Sequence, residues 1–197
     1  GLSGPGDGIL LPLPMPDGSS QVFRVVNSPI MAPKLAAAYP QISTYLAQGV
    51  DDRTAVARLD WTPQGFHALI LGAAGTVYID PYRRGDTSLY ISYYKANAVR
   101  GPQHRFVEYD TDFGQEVTAP IGPAALRVPS GSQLRTYRLA MAATGEYTQY
   151  HDDGNAGNGG PVADALAAIV TAMNRVNGIY EREVAIRMVL VANTDDL

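Results

Sequence analysis

The last third of the chain constrains it most. Residues 184–192 (VAIRMVLVA) form an almost uninterrupted apolar run, the pattern of a strand covered on both faces. Directly before it, residues 161–180 have helical periodicity. Pro161 suits a first turn, and Val162, Leu166, Ile169, Val170, Met173, Val176 and Tyr180 share one face. Gly178 should weaken the last turn. Residues 134–143 (LRTYRLAMAA) supply a strand ahead of the helix. Strand–helix–strand in this order predicts a right-handed βαβ crossover with parallel strands. Two parallel strands and one helix cannot bury both faces of a sheet. The unit therefore reads as unfinished, with more sheet expected after Leu197.

The earlier part has a different pattern. Residues 1–20 are rich in Gly and Pro and lack periodicity, so they read as a loosely ordered lead-in. Residues 21–95 hold short strand candidates at 21–27, 42–48, 54–61, 66–71, 76–79 and 89–94, and two helical turns at 33–39. In 54–61, Ala55, Ala57, Leu59 and Trp61 alternate with Thr54, Val56, Arg58 and Asp60. Residues 72–75 look like a hairpin turn, and 80–86 like another turn. This spacing predicts a mainly antiparallel sheet, and an α+β fold for the whole chain. Residues 96–133 contain four X-Pro breaks and scattered charge, and read as a linker.

Several functions are excluded by composition. The net charge of −4 and the lack of a basic run argue against nucleic acid as a partner. No apolar stretch is long enough for a membrane span. With no cysteine, disulfides, thiolate metal sites and a cysteine nucleophile are ruled out. A G-x-S-x-G elbow is absent, and Ser130 sits in turn chemistry.

Three segments together resemble the opening of a bacterial reprolysin-like metzincin domain: 134–150 (LRTYRLAMAATGEYTQY), 162–180 (VADALAAIVTAMNRVNGIY) and 181–197 (EREVAIRMVLVANTDDL). Tyr137-Arg138-Leu139-Ala140 and Asn174-Arg175-Val176-Asn177 carry most of the likeness, with the closing 193–197. Upstream, Tyr39-Pro40, Arg58-Leu59-Asp60, Gly65-Phe66-His67 and Tyr78-Ile79-Asp80-Pro81-Tyr82 resemble the pro-segment that precedes such domains. The resemblance implies a secreted, latent zinc endopeptidase acting on proteins or peptides. It divides the chain into a lead-in (1–20), a β-rich pro-domain (21–95), a linker and processing segment (96–133) and an incomplete βαβ part of the protease domain (134–197). The remainder of that domain would be the partner of this piece.

The family holds zinc with a HExxHxxGxxH helix, and no such motif occurs here. His67, His104 and His151 are followed by Ala, Arg and Asp. No catalytic residue is carried over, and zinc is expected in the parent rather than in this piece. The weak metal candidates are Asp152, Asp153, Asn155 and Asp195, with calcium as the ion an oxygen-rich loop could take. Against that, residues 151–160 (HDDGNAGNGG) read as a solvated, Gly-rich loop, and their glycine spacing fails a phosphate-binding pattern. Without cysteine, latency would rest on steric cover or on a linker residue. Glu108, Asp110 and Asp112 are the candidates, and Arg127 and Arg135 are the processing candidates. The competing reading is a stand-alone extracellular β-rich binding or adhesion module without chemistry. A HExxHxxGxxH or a stop codon after Leu197 separates the two.

Overall fold

The computed structural model describes residues 8–99 and 133–196. Strands β1 (Ile9–Pro14), β2 (Ser20–Asn27), β3 (Ser43–Gly49), β4 (Val56–Thr62), β5 (Gly65–Gly72), β6 (Gly75–Arg83) and β7 (Asp86–Tyr94) form one antiparallel seven-stranded sheet. Their order in the sheet is their order in the chain, each strand pairing antiparallel with the next, through short turns everywhere except between β2 and β3. Helix α1 (Pro33–Ala38) lies between β2 and β3, with a proline in its first turn. The second unit contains β8 (Arg135–Leu139), α2 (Gly145–His151), α3 (Gly160–Glu183) and β9 (Ile186–Leu190). Strands β8 and β9 pair in parallel, as the crossover pattern predicts. The chain is therefore α+β: a curled antiparallel sheet plus a few helices.

The sheet has two chemically distinct faces. One carries Leu13, Phe23, Val25, Ala47, Ala57, Leu59, Ala68, Ile70, Val77 and Ile79, which pack together inside the curl. The other carries Arg58, Asp60, His67, Tyr78 and Asp80 and lies against α3. A second core joins the two parts of the chain. It combines Ile30, Met31, Leu35 and Ile42 with Leu166, Ile169, Val170, Met173 and Leu190.

Some expectations need correction. Within the expected lead-in, residues 9–14 are strand β1, paired to β2 from Ile9↔Val25 to Pro14↔Ser20. Its prolines are tolerated because β1 is an edge strand, where a missing N–H breaks no ladder. The turn expected at 80–86 shrinks, since β6 runs to Arg83 and pairs with Asp86. Helix α2 sits where no element was expected. Its N-cap Thr144 accepts the Tyr147 N–H, which satisfies one of the helix's orphan donors. Strand β9 also has a second neighbour. Leu190 N–H donates to the Ile30 carbonyl at 2.8 Å, and Ala32 N–H to the Leu190 carbonyl at 2.9 Å. Thus residues 30–32 border one edge of β9 and β8 the other.

Helix α3 is buried on two sides rather than one. Leu166, Ile169, Val170 and Met173 enter the shared core as the periodicity predicts, but Val162 and Tyr180 are exposed. Asp164, Thr171, Asn174 and Asn177 are buried although polar. Gly178 marks a close crossing. A Cβ there would stand 3.0 Å from Arg58 Cγ and 3.2 Å from Leu69 Cδ2. No helix among the described residues is long and apolar enough to cross a membrane.

Candidate functional site

Three places bring chemistry-bearing side chains together. The first is the loop entering α3, where each of Asp152, Asp153 and Asp164 places a carboxylate oxygen within 4.8 Å of the others. Two of the four metal candidates, Asp152 and Asp153, meet here. Asp195 is not among these carboxylates, Asn155 lies in the same loop with its N–H on Asp153, and Asp164 was not foreseen because it lies on what reads as a helix interior. The loop accounts for these oxygens itself. Asp164 accepts from Asp153 N–H at 3.0 Å and from Asn158 Nδ2 at 2.9 Å. Asp153 accepts from Asn155 N–H at 2.7 Å, Asp152 from Gly154 N–H at 2.8 Å, and Asn155 from Gly157 N–H at 3.0 Å. These are local side-chain-to-backbone turns that hold a tight loop. Gly159, with φ of +108°, is needed because a side chain at that angle is strained. The loop read as solvated and Gly-rich is thus heavily hydrogen-bonded within itself. Burial pushes the Asp164 carboxyl above its ordinary range.

The donor set does not fit zinc. Zinc sites are usually built from imidazole or thiolate with at most one carboxylate, and this cluster offers only carboxylates. Neither described histidine joins it. His67 is held on Asp60, and His151 stacks beside Tyr147 and Tyr150. Burial, and secondarily Arg84, lower the pKa of His151.

The second place is the interface between α3 and the seven-stranded sheet. Positions 171, 174, 175, 178 and 181 lie on one face of α3 by helical spacing. Thr171 Oγ1 donates to Asp60 Oδ2 at 2.7 Å, and Asn174 Nδ2 reaches the Leu59 carbonyl at 2.9 Å and Asp60 Oδ1 at 3.2 Å. His67, directly across the sheet from Asp60, places Nδ1 3.0 Å from Asp60 Oδ2. Asp60 is only 1% exposed. Arg175 pairs with Asp80 and stacks over the Tyr78 ring, its guanidinium carbon 4.9 Å from the centroid. Arg58, also 1% exposed, donates to Glu181 and to Ser28 Oγ at 2.9 Å. Glu181 is shared, since Arg187 Nε reaches the same oxygen at 2.6 Å. Burial lowers the pKa of the Arg58 guanidinium, against the pull of Glu181.

Tyr93 extends this network, donating its hydroxyl to Asp80 Oδ2 at 2.8 Å. Burial first, and then that bond, push its phenol from its ordinary value of 10.0 to about 12. The protonated phenol is the favoured form in the fold. Its contribution is therefore fully present below pH 10 and is lost as pH rises toward 12. An ultraviolet titration should contain a late step from Tyr93, near pH 12; burial also raises the Tyr147 phenol. That late step disappears in Tyr93→Phe. An unchanged titration in the variant would place the late phenol elsewhere.

The third place is an apolar groove of about 560 Å³ at the open side of the curl. Ile9, Leu11, Pro12, Trp61, Phe66 and Tyr90 are among the residues that line it, and Trp61 is 57% exposed.

The remaining sequence candidates divide plainly. Glu108, Asp110, Asp112 and Arg127 lie outside the described residues. Arg135 opens β8, and its N–H donates to the Ala185 carbonyl at 2.9 Å, so cleavage there would require that strand to leave its partner.

Residues 133–197 match the family model described as metallo-peptidase family M12B, reprolysin-like. The matched stretch begins just before β8 and takes in α2, α3 and β9. No curated protein and no solved structure matches the chain significantly.

Proposed function

We propose that this chain is the N-terminal part of the precursor of a secreted bacterial zinc endopeptidase. In this reading residues 21–95 are a pro-domain, 96–133 a connecting and processing segment, and 134–197 the opening of the peptidase domain. The observation that carries it is the similarity of residues 133–197 to the reprolysin-like metallopeptidases. Its extent coincides with one structural unit, β8 to β9. The proposed pro-domain would aid folding and cover the later cleft. The buried polar contacts and the shared core between α3 and residues 30–80 support the first role, because they give α3 partners that β8 and β9 alone do not supply. The zinc ligands would come from outside the residues in hand, so no catalytic step is assigned to any of them.

Expression of the coding sequence extended past Leu197 tests this reading. The expected result is a downstream HExxHxxGxxH and zinc-dependent peptide cleavage that rises after the chain is cut between residues 99 and 133 and the N-terminal piece is removed. Residues 1–197 alone should cleave nothing with zinc added. A stop codon after Leu197, or full activity in the uncut protein, would refute the proposal. The second reading, an extracellular binding module, is favoured by the apolar groove beside Trp61; a stop codon would bring it forward.

A further inference from the structure

We infer that the α3-facing side of the seven-stranded sheet is a recognition surface for an amphipathic helix, strong enough to hold residues 133–196 after the connection to residues 8–99 is cut. The contacts are complementary in charge and kind. The sheet presents Arg58, Asp60 and Asp80, and α3 answers with Glu181, with Thr171 and Asn174, and with Arg175. Gly178 lies at the crossing, where any larger residue meets Arg58 and Leu69. The partner is thus specified: a helix with a glycine at the contact point, Glu three residues after it, Asn and Arg four and three residues before it, and Thr seven before. This selects against helices of other sequence, since a mismatched charge opposite a buried one is strongly unfavourable.

Two further features act together with this face. The apolar core of Ile30, Met31, Leu35 and Ile42 against Leu166, Ile169, Val170 and Met173 removes a large hydrocarbon surface from water. The two backbone hydrogen bonds between Leu190 and residues 30 and 32 add edge-strand pairing. None of these contacts involves residues 100–132, so their strength does not depend on an intact connection. Cutting the chain leaves a two-piece complex, and separation becomes a distinct later step. The inference goes beyond the peptidase reading and stands without it.

The test uses the full chain with a site-specific protease sequence inserted between residues 99 and 133. After cleavage under native conditions, the two pieces should co-elute in gel filtration at the position of the uncut protein. Asp80→Arg faces Arg175 with a like charge and should weaken association about tenfold or more. The exchange Asp80→Arg with Arg175→Asp should restore most of it. Asp80 and Arg175 keep 20% and 25% of their side chains exposed, which favours a folded variant. Circular dichroism of the uncut variants checks this, and Arg175→Gln, which removes a charge without inverting one, provides a milder second probe. Separation of the wild-type pieces overturns the inference. Co-elution with an affinity that neither Asp80→Arg nor Arg175→Gln changes overturns the recognition by charge.

Discussion

Replacing Glu181 with Leu is expected to lower the free energy of unfolding by about 3–5 kcal/mol, the usual loss when one member of a buried ion pair is removed. Arg58→Met at the other end of the same contact should lose clearly less, about 1–2 kcal/mol. The asymmetry follows from what each change leaves behind. Without Glu181, the Arg58 guanidinium stays 1% exposed with Ser28 Oγ as its remaining partner. Its Nε is already buried with no acceptor among the described residues. An uncompensated charge in that position retains its desolvation penalty and loses the attraction that offset it. Without Arg58, Glu181 still holds Arg187 at 2.6 Å, and its side chain is 14% exposed. Methionine would also keep most of the hydrocarbon contact that Arg58 makes with the sheet and with Gly178. Urea denaturation of both variants measures the difference. In a domain of this size a 3–5 kcal/mol loss corresponds to a fall in Tm of about 6–20 °C. Equal losses would mean that Arg58 and Glu181 act only through each other. A larger loss for Arg58→Met would show that the arginine's packing, not its charge, holds α3.

What the sequence made legible follows from the range over which each pattern is set. The strands of the sheet show because their apolar residues alternate locally, as with Ala57 and Leu59 in β4. The parallel pairing of β8 and β9 shows because a helix separates two strands. Strand β1 was hidden by Pro12 and Pro14, which exclude a central strand but not an edge. Helix α2 was hidden by its length of seven residues, too short for a period to establish itself, although Thr144 was a legible cap.

The polar interface was hidden for another reason. Arg58 and Asp60 alternate with core residues exactly as a solvent-facing row would, and their cover comes from residues more than 100 positions away. The available signal was on the helix: Thr171 and Asn174 interrupt a surface that otherwise reads as small and apolar, in the two turns before Gly178. A glycine in that company indicates a close approach between elements rather than a weak turn. The cluster at Asp152 and Asp153 was half legible, since their oxygens lie in one loop, whereas Asp164 reaches it only once α3 begins.

Asp60 is where the second large effect should appear. Its Oδ2 accepts from Thr171 and lies 3.0 Å from His67 Nδ1, and its Oδ1 accepts from Asn174. Asp60→Ala strips all three while they stay covered by α3. Asn174 retains the Leu59 carbonyl at 2.9 Å, whereas Thr171 Oγ1 and His67 Nδ1 are left only their long 3.5 Å contact with each other. At about 1–3 kcal/mol for each orphaned buried donor, the loss should be about 2–4 kcal/mol, reduced by the relief of a buried charge. Asp60→Asn should cost less. Its amide oxygen can still accept from Asn174, and its amide N–H groups can donate to the Thr171 hydroxyl or to His67 Nδ1 in the tautomer that leaves this nitrogen unprotonated. The order wild type, Asn, Ala in urea midpoint is therefore expected. Hydrogen exchange should place the weakening in α3, where the amides around Thr171–Gly178 lose protection before those of β5 and β6. If Ala and Asn prove equally harmful, the carboxylate's charge, not its hydrogen bonds, fastens the helix. If neither shifts the midpoint, the buried network is not what holds α3 to the sheet.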